Sequence, residues 1–180
     1  MAVRVRGRLT SLRPATVADV PLLVAWHADP EVARFWDGET FTEAEMRDRL
    51  ARPDVEAFVV EAEGRAVGYL QAWHDDGGGG GLDMFLAPGE RGRGLGPDAA
   101  SALARHLVAE RGWARLTVDP YRWNERAIRG WRRAGFEPVE ERPPDDDHPR
   151  DDDRNDEVEG TPVPDPEEEQ GTAGDDPEAD

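Results

Sequence analysis

Apolar and polar positions alternate along several short stretches of the chain, a pattern typical of β-strands with one buried face. The stretch "RLTSLRP" predicts a first strand, and "VEAFVVEAEGRAVGYLQAWH" predicts two strands that turn at Glu63 and Gly64. The stretches "GLDMFLAP" and "ARLTVDP" predict a fourth and a fifth strand, and "FEPVEER" predicts a weak sixth. The glycine run at residues 77–81 predicts a mobile loop between two of these strands.

Helical spacing fills the intervals between the predicted strands. Capping-box patterns at Thr16 with Asp19 and at Thr42 with Glu45 predict two early helices. Residues 97–111 and the stretch "NERAIRGWRRAG" predict two later ones. A hairpin followed by strand, helix, strand and helix predicts a mixed α/β (α+β) domain that contains one βαβ unit.

The negative charge of the chain is concentrated at its C-terminal end. Residues 145–180 hold 17 acidic residues and two arginines, so they carry −15 of the formal net charge of −18. Such an acidic, proline-broken segment buries too little apolar surface to offset its ordering entropy. We therefore expect a folded domain over residues 1–142 and a disordered acidic tail over residues 143–180.

The residue inventory excludes several classes of function. The chain has no cysteine, which excludes disulfides, thiolate zinc sites and a cysteine nucleophile. Its four histidines lack ligand spacing, so no metal is expected, and neither serine lies in a nucleophile elbow. All basic residues are arginines scattered along the chain, which argues against a nucleic-acid partner. Because no apolar run approaches the roughly 20 residues of a membrane span, we expect a soluble cytoplasmic protein without a membrane partner.

Glycines and arginines are concentrated where the helix at residues 97–111 begins. The pattern Arg91-x-x-Gly94-x-Gly96 follows the fourth predicted strand, with Gly92 and Arg93 inside it. The first N–H groups of a helix lack helical partners and the helix dipole favours an anion there. Because glycine lets the backbone approach a phosphate and arginine adds charge, the pattern predicts an anion site.

Two other interpretations of this glycine loop stay open at this point. A glycine-rich turn needs no ligand at all. A Rossmann site would use Asp119, which ends the next strand, as its ribose-binding acid. However, the Rossmann fingerprint is G-x-G-x-x-G, whereas residues 92–96 read G-x-G-x-G.

A second pattern, Asn124-x-x-Ala127-x-x-x-Trp131-x-x-x-Gly135-Phe136, lies beyond the fifth predicted strand. Together the two patterns resemble the GNAT family of acetyl-CoA-dependent N-acetyltransferases over about residues 5–142. The resemblance implies a sheet splayed between its fourth and fifth strands, with acetyl-CoA in the gap. It implies coenzyme contacts at Phe85, Leu86, Arg91, Gly92, Arg93, Gly94, Leu95, Gly96, Asn124, Ala127 and Trp131. The family also has a further strand after the sixth, which this chain is expected to lack.

Finer features resemble the aminoglycoside 6'-N-acetyltransferase branch of that family. These are the segment "RFWDGET", the strand "GLDMFLA" and the strand end "TVDP". The resemblance implies catalytic roles for Asp83 and Asp119 and an acceptor pocket that includes Trp36, Asp37 and Trp73. It further implies direct acetyl transfer, in a ternary complex, to a primary amine of a small cationic acceptor.

The chemistry agrees with these assignments, since an amine attacks a thioester only when unprotonated and a carboxylate can take its proton. The simpler alternative is that Asp83 is a partly exposed strand residue and Asp119 a turn former before Pro120. Trp131 stands where the family usually has a tyrosine, and indole is no useful acid. Two other functions therefore remain open: a siderophore-type N-acyltransferase acting on a lysine-derived amine, and a coenzyme-binding module of low activity. For each we expect a monomer or a homodimer.

Overall fold

The computed structural model describes residues 3–36, 38–138 and 158–159 of the 180-residue chain. Among these residues, eight strands form one sheet in the order β1-β2-β3-β4-β5-β6-β8-β7. The β5–β6 pair is parallel and all other neighbouring pairs are antiparallel. The strands are β1 (Val5–Arg6), β2 (Ser11–Pro14), β3 (Val55–Ala62), β4 (Arg65–His74), β5 (Gly79–Leu86), β6 (Arg115–Val118), β7 (Glu137–Pro138) and β8 (Val158–Glu159).

Five α-helices accompany the sheet in the described residues. They are α1 (Val20–His27), α2 (Pro30–Ala33), α3 (Glu43–Leu50), α4 (Leu95–Arg111) and α5 (Glu125–Arg133). The early helices begin as predicted: the Thr16 hydroxyl donates to Asp19 before α1, and the Glu45 backbone donates to the Thr42 hydroxyl at the start of α3. A 3-10 turn at Val17–Asp19 leads into α1. The mixed α/β class predicted from the sequence is confirmed.

The sheet separates two hydrophobic clusters because successive residues of a strand point to opposite faces. On one face, Leu70, Leu82 and neighbouring residues pack against α4 and α5. On the other face, Tyr69 and Phe85 pack against the residues of α1 to α3. Asp83 lies between Leu82 and Met84 in β5 and so belongs to the second face, on the side of α1 to α3.

The structure changes two sequence-based predictions about strands. The stretch "RLTSLRP" contains a strand, but only Ser11–Pro14 is extended, and it is the second strand because β1 precedes it. The glycine run is not a loop, since Gly79–Gly81 begin β5 and pair with both β4 and β6. A Cβ on Gly80 would lie 1.9 Å from the carbonyl oxygen of Trp73, and one on Gly81 would lie 2.3 Å from its indole. Glycine here permits close approach between strands.

The sheet also does not end where the sequence predicts. The expectation of a missing last strand is corrected by β8, which pairs antiparallel with β6 on one side and with β7 on the other. Its two residues lie inside the segment predicted as a disordered tail. The rest of residues 143–180, together with the predicted boundary at residue 142, lies outside the described residues.

The fourth and fifth predicted strands, β5 and β6, diverge along their length. They pair only where Gly79–Gly81 lies beside Arg115–Thr117, and β5 then continues to Leu86 without β6 beside it. This is the splayed sheet that the family resemblance implies. The gap opens beside the N-terminus of α4 and beside α5.

Candidate active site

A cavity of about 530 Å³ occupies the gap beyond the β5–β6 pairing. Its walls come from the end of β5, the glycine loop, the start of α4 and one side of α5. Predicted coenzyme residues that line it are Phe85, Leu86, Arg91, Gly92, Gly94, Leu95, Gly96, Asn124, Ala127 and Trp131. The structure thus brings together residues from three separate stretches of the chain that were predicted to bind one ligand.

The glycine loop has the backbone conformation that glycine favours. Gly92 and Gly94 have φ angles of 81° and 77°, and Gly94 is the left-handed N-cap residue of α4. The helix begins at Leu95, two residues before the predicted start, and Pro97 lies in its first turn. A missing N–H matters little at that position because the first N–H groups have no helical partner. The remaining N–H groups at this helix end are available to an anion.

Asp98 ties the first turn of α4 to the loop between β1 and β2. Its carboxylate accepts hydrogen bonds from the backbone N–H groups of Arg8, Leu9 and Thr10 at 2.8–3.0 Å, and from the Thr10 hydroxyl at 2.6 Å. A Cβ on Gly7 would lie 2.1 Å from this carboxylate. The start of α4, which carries the glycine loop, is therefore anchored to the edge of the sheet.

The two loop arginines differ in where their side chains lie. Arg91 lines the cavity, donates to the backbone oxygen of Glu31 at 3.0 Å and lies over the ring of Phe35. Arg93 lies outside the cavity lining, and its guanidinium pairs with Glu63 and Glu90. That Arg93 contacts the coenzyme stays a prediction, and its side chain is engaged by these two carboxylates.

The residues of the second sequence pattern lie along α5. The Asn124 side chain accepts the Ala127 N–H at 3.1 Å and so caps the helix. Trp131 is buried and packs edge to face against Phe136, with ring centroids 5.5 Å apart. Asn124, Ala127 and Trp131 line both the larger cavity and a second one, so they mark where the two cavities meet.

The second cavity, of about 330 Å³, adjoins the first and also shares Phe35 and Met84 with it. It contains the predicted catalytic residues Asp83 and Asp119 and the predicted acceptor residues Trp36 and Trp73. The predicted acceptor residue Asp37 lies outside the described residues. Further lining side chains are Phe35, Glu39, Arg49 and Tyr121.

A hydrogen-bond network fixes the orientation of Asp83. The buried Gln71 accepts hydrogen bonds through Oε1 from the Tyr69 hydroxyl at 2.9 Å and from Arg49 Nε at 3.2 Å. Its amide nitrogen therefore faces Asp83 and donates to Oδ2 at 2.8 Å. Burial raises the pKa of Tyr69 to about 12, so its hydroxyl stays protonated and remains a donor.

Several residues at these cavities escaped the sequence-based prediction. Gln71 carried a signal, since it is a lone amide in an otherwise largely apolar strand pattern. Arg126, Arg129 and Arg133 also line the larger cavity, and their spacing of three and four residues marks one helix face. Phe35 and Arg49 gave no signal, because only the packing of α2 and α3 on the sheet brings them to the site.

Two further properties concern the described residues as a whole. No group of three or more histidine or acidic side chains within residues 3–36, 38–138 and 158–159 is arranged to hold a metal ion. Over the same part of the chain, the helices are too short or too polar to cross a membrane.

Comparison with known proteins identifies the class to which this fold and site belong. A family model described as "Acetyltransferase (GNAT) domain" matches residues 15–143. The chain belongs to this GNAT acetyltransferase family, and it is an acetyl-CoA-dependent N-acetyltransferase. The free backbone N–H groups of the glycine loop at the N-terminus of α4 are of the kind that binds a pyrophosphate.

Individual relatives show which acetyltransferases this chain resembles. Aminoglycoside N(6')-acetyltransferases type 1 from Klebsiella pneumoniae and Serratia marcescens are each 29% identical to the chain over 147 residues, 71% of this chain and 73% of the relative. A structure of AAC(6')-Ib in complex with parmomycin and acetyl-CoA is 25% identical, with a TM-score of 0.72 over 85% of this chain and 93% of that chain. Spermidine N-acetyltransferase from Vibrio cholerae shares the fold, with 13% identity and a TM-score of 0.69 over 84% and 92% of the two chains.

Proposed function

We propose that this enzyme acetylates a primary amine of a small, cationic, aminoglycoside-like acceptor. The observation that carries the proposal is the smaller cavity, in which the carboxylates of Glu39, Asp83 and Asp119 share the wall with Trp36, Trp73 and Tyr121. Carboxylates attract protonated amines, and aromatic faces bind both cations and the apolar faces of sugar rings. The named acceptors of relatives, aminoglycosides and spermidine, are cations of this kind.

In the proposed mechanism, Asp83 is the group that takes the proton from the acceptor amine. Acetyl-CoA supplies the thioester carbonyl where the two cavities meet, and the acceptor amine has to lose a proton to attack it. Asp83, held by Gln71, accepts that proton, and Asp119 binds a further ammonium group of the acceptor. The chain has no cysteine to form an acyl-enzyme, which supports direct transfer in a ternary complex.

Departure of the coenzyme thiolate does not need Trp131 to act as an acid. Indole N–H only donates hydrogen bonds and has no useful acidity near neutral pH. A simple thiol has a pKa near 8.5, so its thiolate is a good leaving group without a protein proton. Trp131 instead excludes water from the junction of the two cavities, where it is 8% exposed.

One observation favours a second candidate, a siderophore-type N-acyltransferase on a lysine-derived amine. Arg49 lines the smaller cavity, and a lysine-derived acceptor has a carboxylate that an arginine would bind. The aminoglycoside-like acceptor remains our choice because Arg49 already donates to Gln71 and lies over the rings of Trp36 and Phe41.

The test is thiol release from acetyl-CoA with a panel of aminoglycosides, polyamines and lysine-derived amines. We expect release with aminoglycosides, dependent on Asp83. Release only with lysine-derived amines would establish the second candidate in its place. Tight coenzyme binding without release on any amine would overturn both acceptor assignments.

The proposal also covers the cellular location, the oligomeric state and the partners of the enzyme. We place the enzyme in the cytoplasm, where acetyl-CoA is supplied, as a monomer or a homodimer. Neither nucleic acid nor a membrane takes part, and the partner is the small cationic substrate alone.

A further inference from the structure

Two sets of residues on α5 line the larger cavity in different ways. Asn124, Ala127 and Trp131, at spacings of three and four residues, line both cavities. A second face, formed by Arg126, Arg129 and Arg133 at the same spacings, lines only the larger one. We call these three residues the arginine row. At about 100° per residue the row is rotated by nearly half a turn from Asn124, Ala127 and Trp131, so it lies away from the side of the helix that reaches the acceptor cavity.

The arginine row brings positive charge to the cavity wall. Within the described residues, acidic side chains neutralise little of this charge. In this part of the chain, the row's one ion pair joins Arg129 to Glu125 at 3.2 Å. Both side chains of that pair are well exposed, at 62% and 78%, and an ion pair in such a position contributes little free energy. A row of guanidinium groups beside a cavity is suited to a phosphate, which arginine binds through paired hydrogen bonds.

The pyrophosphate of the coenzyme does not account for the row. That group is matched by the backbone N–H groups where the glycine loop enters α4 and by Arg91, which also lines the cavity. Coenzyme A carries one more phosphate, on the 3' position of its ribose. The row lies close enough to receive it, since Gly130 packs beside Pro97 in the first turn of α4, with 4.0 Å between a Cβ built on Gly130 and Pro97 Cγ.

We infer that the arginine row binds the 3'-phosphate of coenzyme A and makes the enzyme select acetyl-CoA over donors that lack this phosphate. The inference concerns the donor side of the site and holds whichever amine is the acceptor. It predicts that the row contributes donor affinity through charge, while the reacting end of the site is untouched.

The experiment is a comparison by calorimetry of coenzyme A with 3'-dephospho-coenzyme A, using the full chain. The wild-type protein should bind coenzyme A at least about tenfold more tightly, as expected for charge-assisted hydrogen bonds to a phosphate. Arg129→Gln and the triple variant Arg126→Gln, Arg129→Gln, Arg133→Gln should lose affinity for coenzyme A and keep their affinity for the dephospho compound. Arg132→Gln is the matched control, because Arg132 is an exposed arginine on α5 outside the cavity lining.

Each other outcome overturns the inference. Equal binding of the two coenzymes by the wild-type protein means that the 3'-phosphate is not recognised. An equal loss of affinity for both coenzymes in the row variants assigns the row to the pyrophosphate. An equal effect of Arg132→Gln shows that only general surface charge matters. Thermal melting of each variant separates a loss of folding from a loss of binding.

Discussion

The side-chain amide of Gln71 donates a 2.8 Å hydrogen bond to Oδ2 of Asp83, across the antiparallel pairing of β4 and β5. The two residues lie directly opposite each other in the register, so the bond needs no long or strained side chain. Tyr69 and Arg49 complete the hydrogen bonding of the Gln71 oxygen. The carboxylate that we propose as the proton acceptor is therefore oriented by a buried amide with little rotational freedom.

We expect Asp83→Asn to lower kcat for the acceptor by at least tenfold, toward the roughly 10²–10⁴-fold range of lost general bases. The amide cannot accept the amine proton, whereas coenzyme binding in the larger cavity should be unaffected. The measurement is thiol release between pH 6 and 9, together with calorimetry for coenzyme A. Turnover close to that of the wild-type protein across this range would mean that Asp83 is only a strand residue.

Gln71→Glu tests the positioning of Asp83 separately. The substitution removes the hydrogen bond to Asp83 and puts a carboxylate beside it, which should raise the pKa of Asp83. The acid limb of the pH–rate profile should then move to higher pH, an effect that a purely structural role would not cause. Gln71→Leu is the control that removes the donor without adding charge. An unshifted profile in Gln71→Glu, at a normal melting temperature, would contradict the positioning role.

Gly94→Val should weaken coenzyme binding at least about tenfold, because the side chain disturbs the backbone N–H groups at the start of α4. The left-handed backbone, with φ of 77°, also makes the substitution cost about 1–2 kcal/mol in stability. Gly89→Val is a matched control: Gly89 has φ of 84° and open space around it, but it does not line the cavity. Calorimetry should show a loss for Gly94→Val alone, and equal affinities would remove the loop from the site.

His27 should make stability fall at mildly acidic pH. Its Nδ1 donates to the Leu23 carbonyl oxygen at 2.8 Å, and its Nε2 has no hydrogen-bond partner among the described residues. Burial lowers the pKa of His27 below the 6.5 of an exposed histidine. The unfolded chain therefore takes up a proton first, so stability is complete above about pH 6.5 and declines as the pH falls below that value.

Urea unfolding at pH 7.5 and 5.5 measures this dependence. The wild-type protein should lose free energy of unfolding between the two values, and His27→Phe should lose less because its ring cannot take up a proton. Phenylalanine also suits the surrounding rings of Trp36, Phe41, Tyr69 and Phe85. The same pH dependence in both proteins would show that another group is responsible.

Two truncations test whether β8 stabilises the sheet. Deleting residues 145–180 removes the strand that pairs with β6 and β7, and should lower the melting temperature by about 4 °C or more. Deleting residues 161–180 removes eight acidic residues and leaves β8 in place, so the melting temperature should stay nearly constant. If both truncated proteins melt at the same temperature as the full chain, β8 contributes no stability.

Local sequence patterns were sufficient to predict much of the fold and the family. The Glu63–Gly64 turn joins β3 to β4 as predicted, and the two capping boxes begin α1 and α3. The family resemblance carried by the glycine loop and the Asn124 pattern is confirmed. The turn, the capping boxes and each of the two motifs depend on residues close together in the sequence, so a linear pattern contains the needed information.

The tertiary structure decided which distant residues meet. Strand register places Gln71 opposite Asp83, and the packing of α3 brings Arg49 to the same network. Gly79–Gly81 form a strand through their pairing with β4 and β6, and glycine is needed there because Trp73 on β4 occupies the space of a side chain, a contact that no local pattern reveals. Likewise, β8 is two residues long and is defined by its neighbours β6 and β7. Local patterns thus determined the separate helices, strands and loops, and the site arose only when packing set their register and rotation.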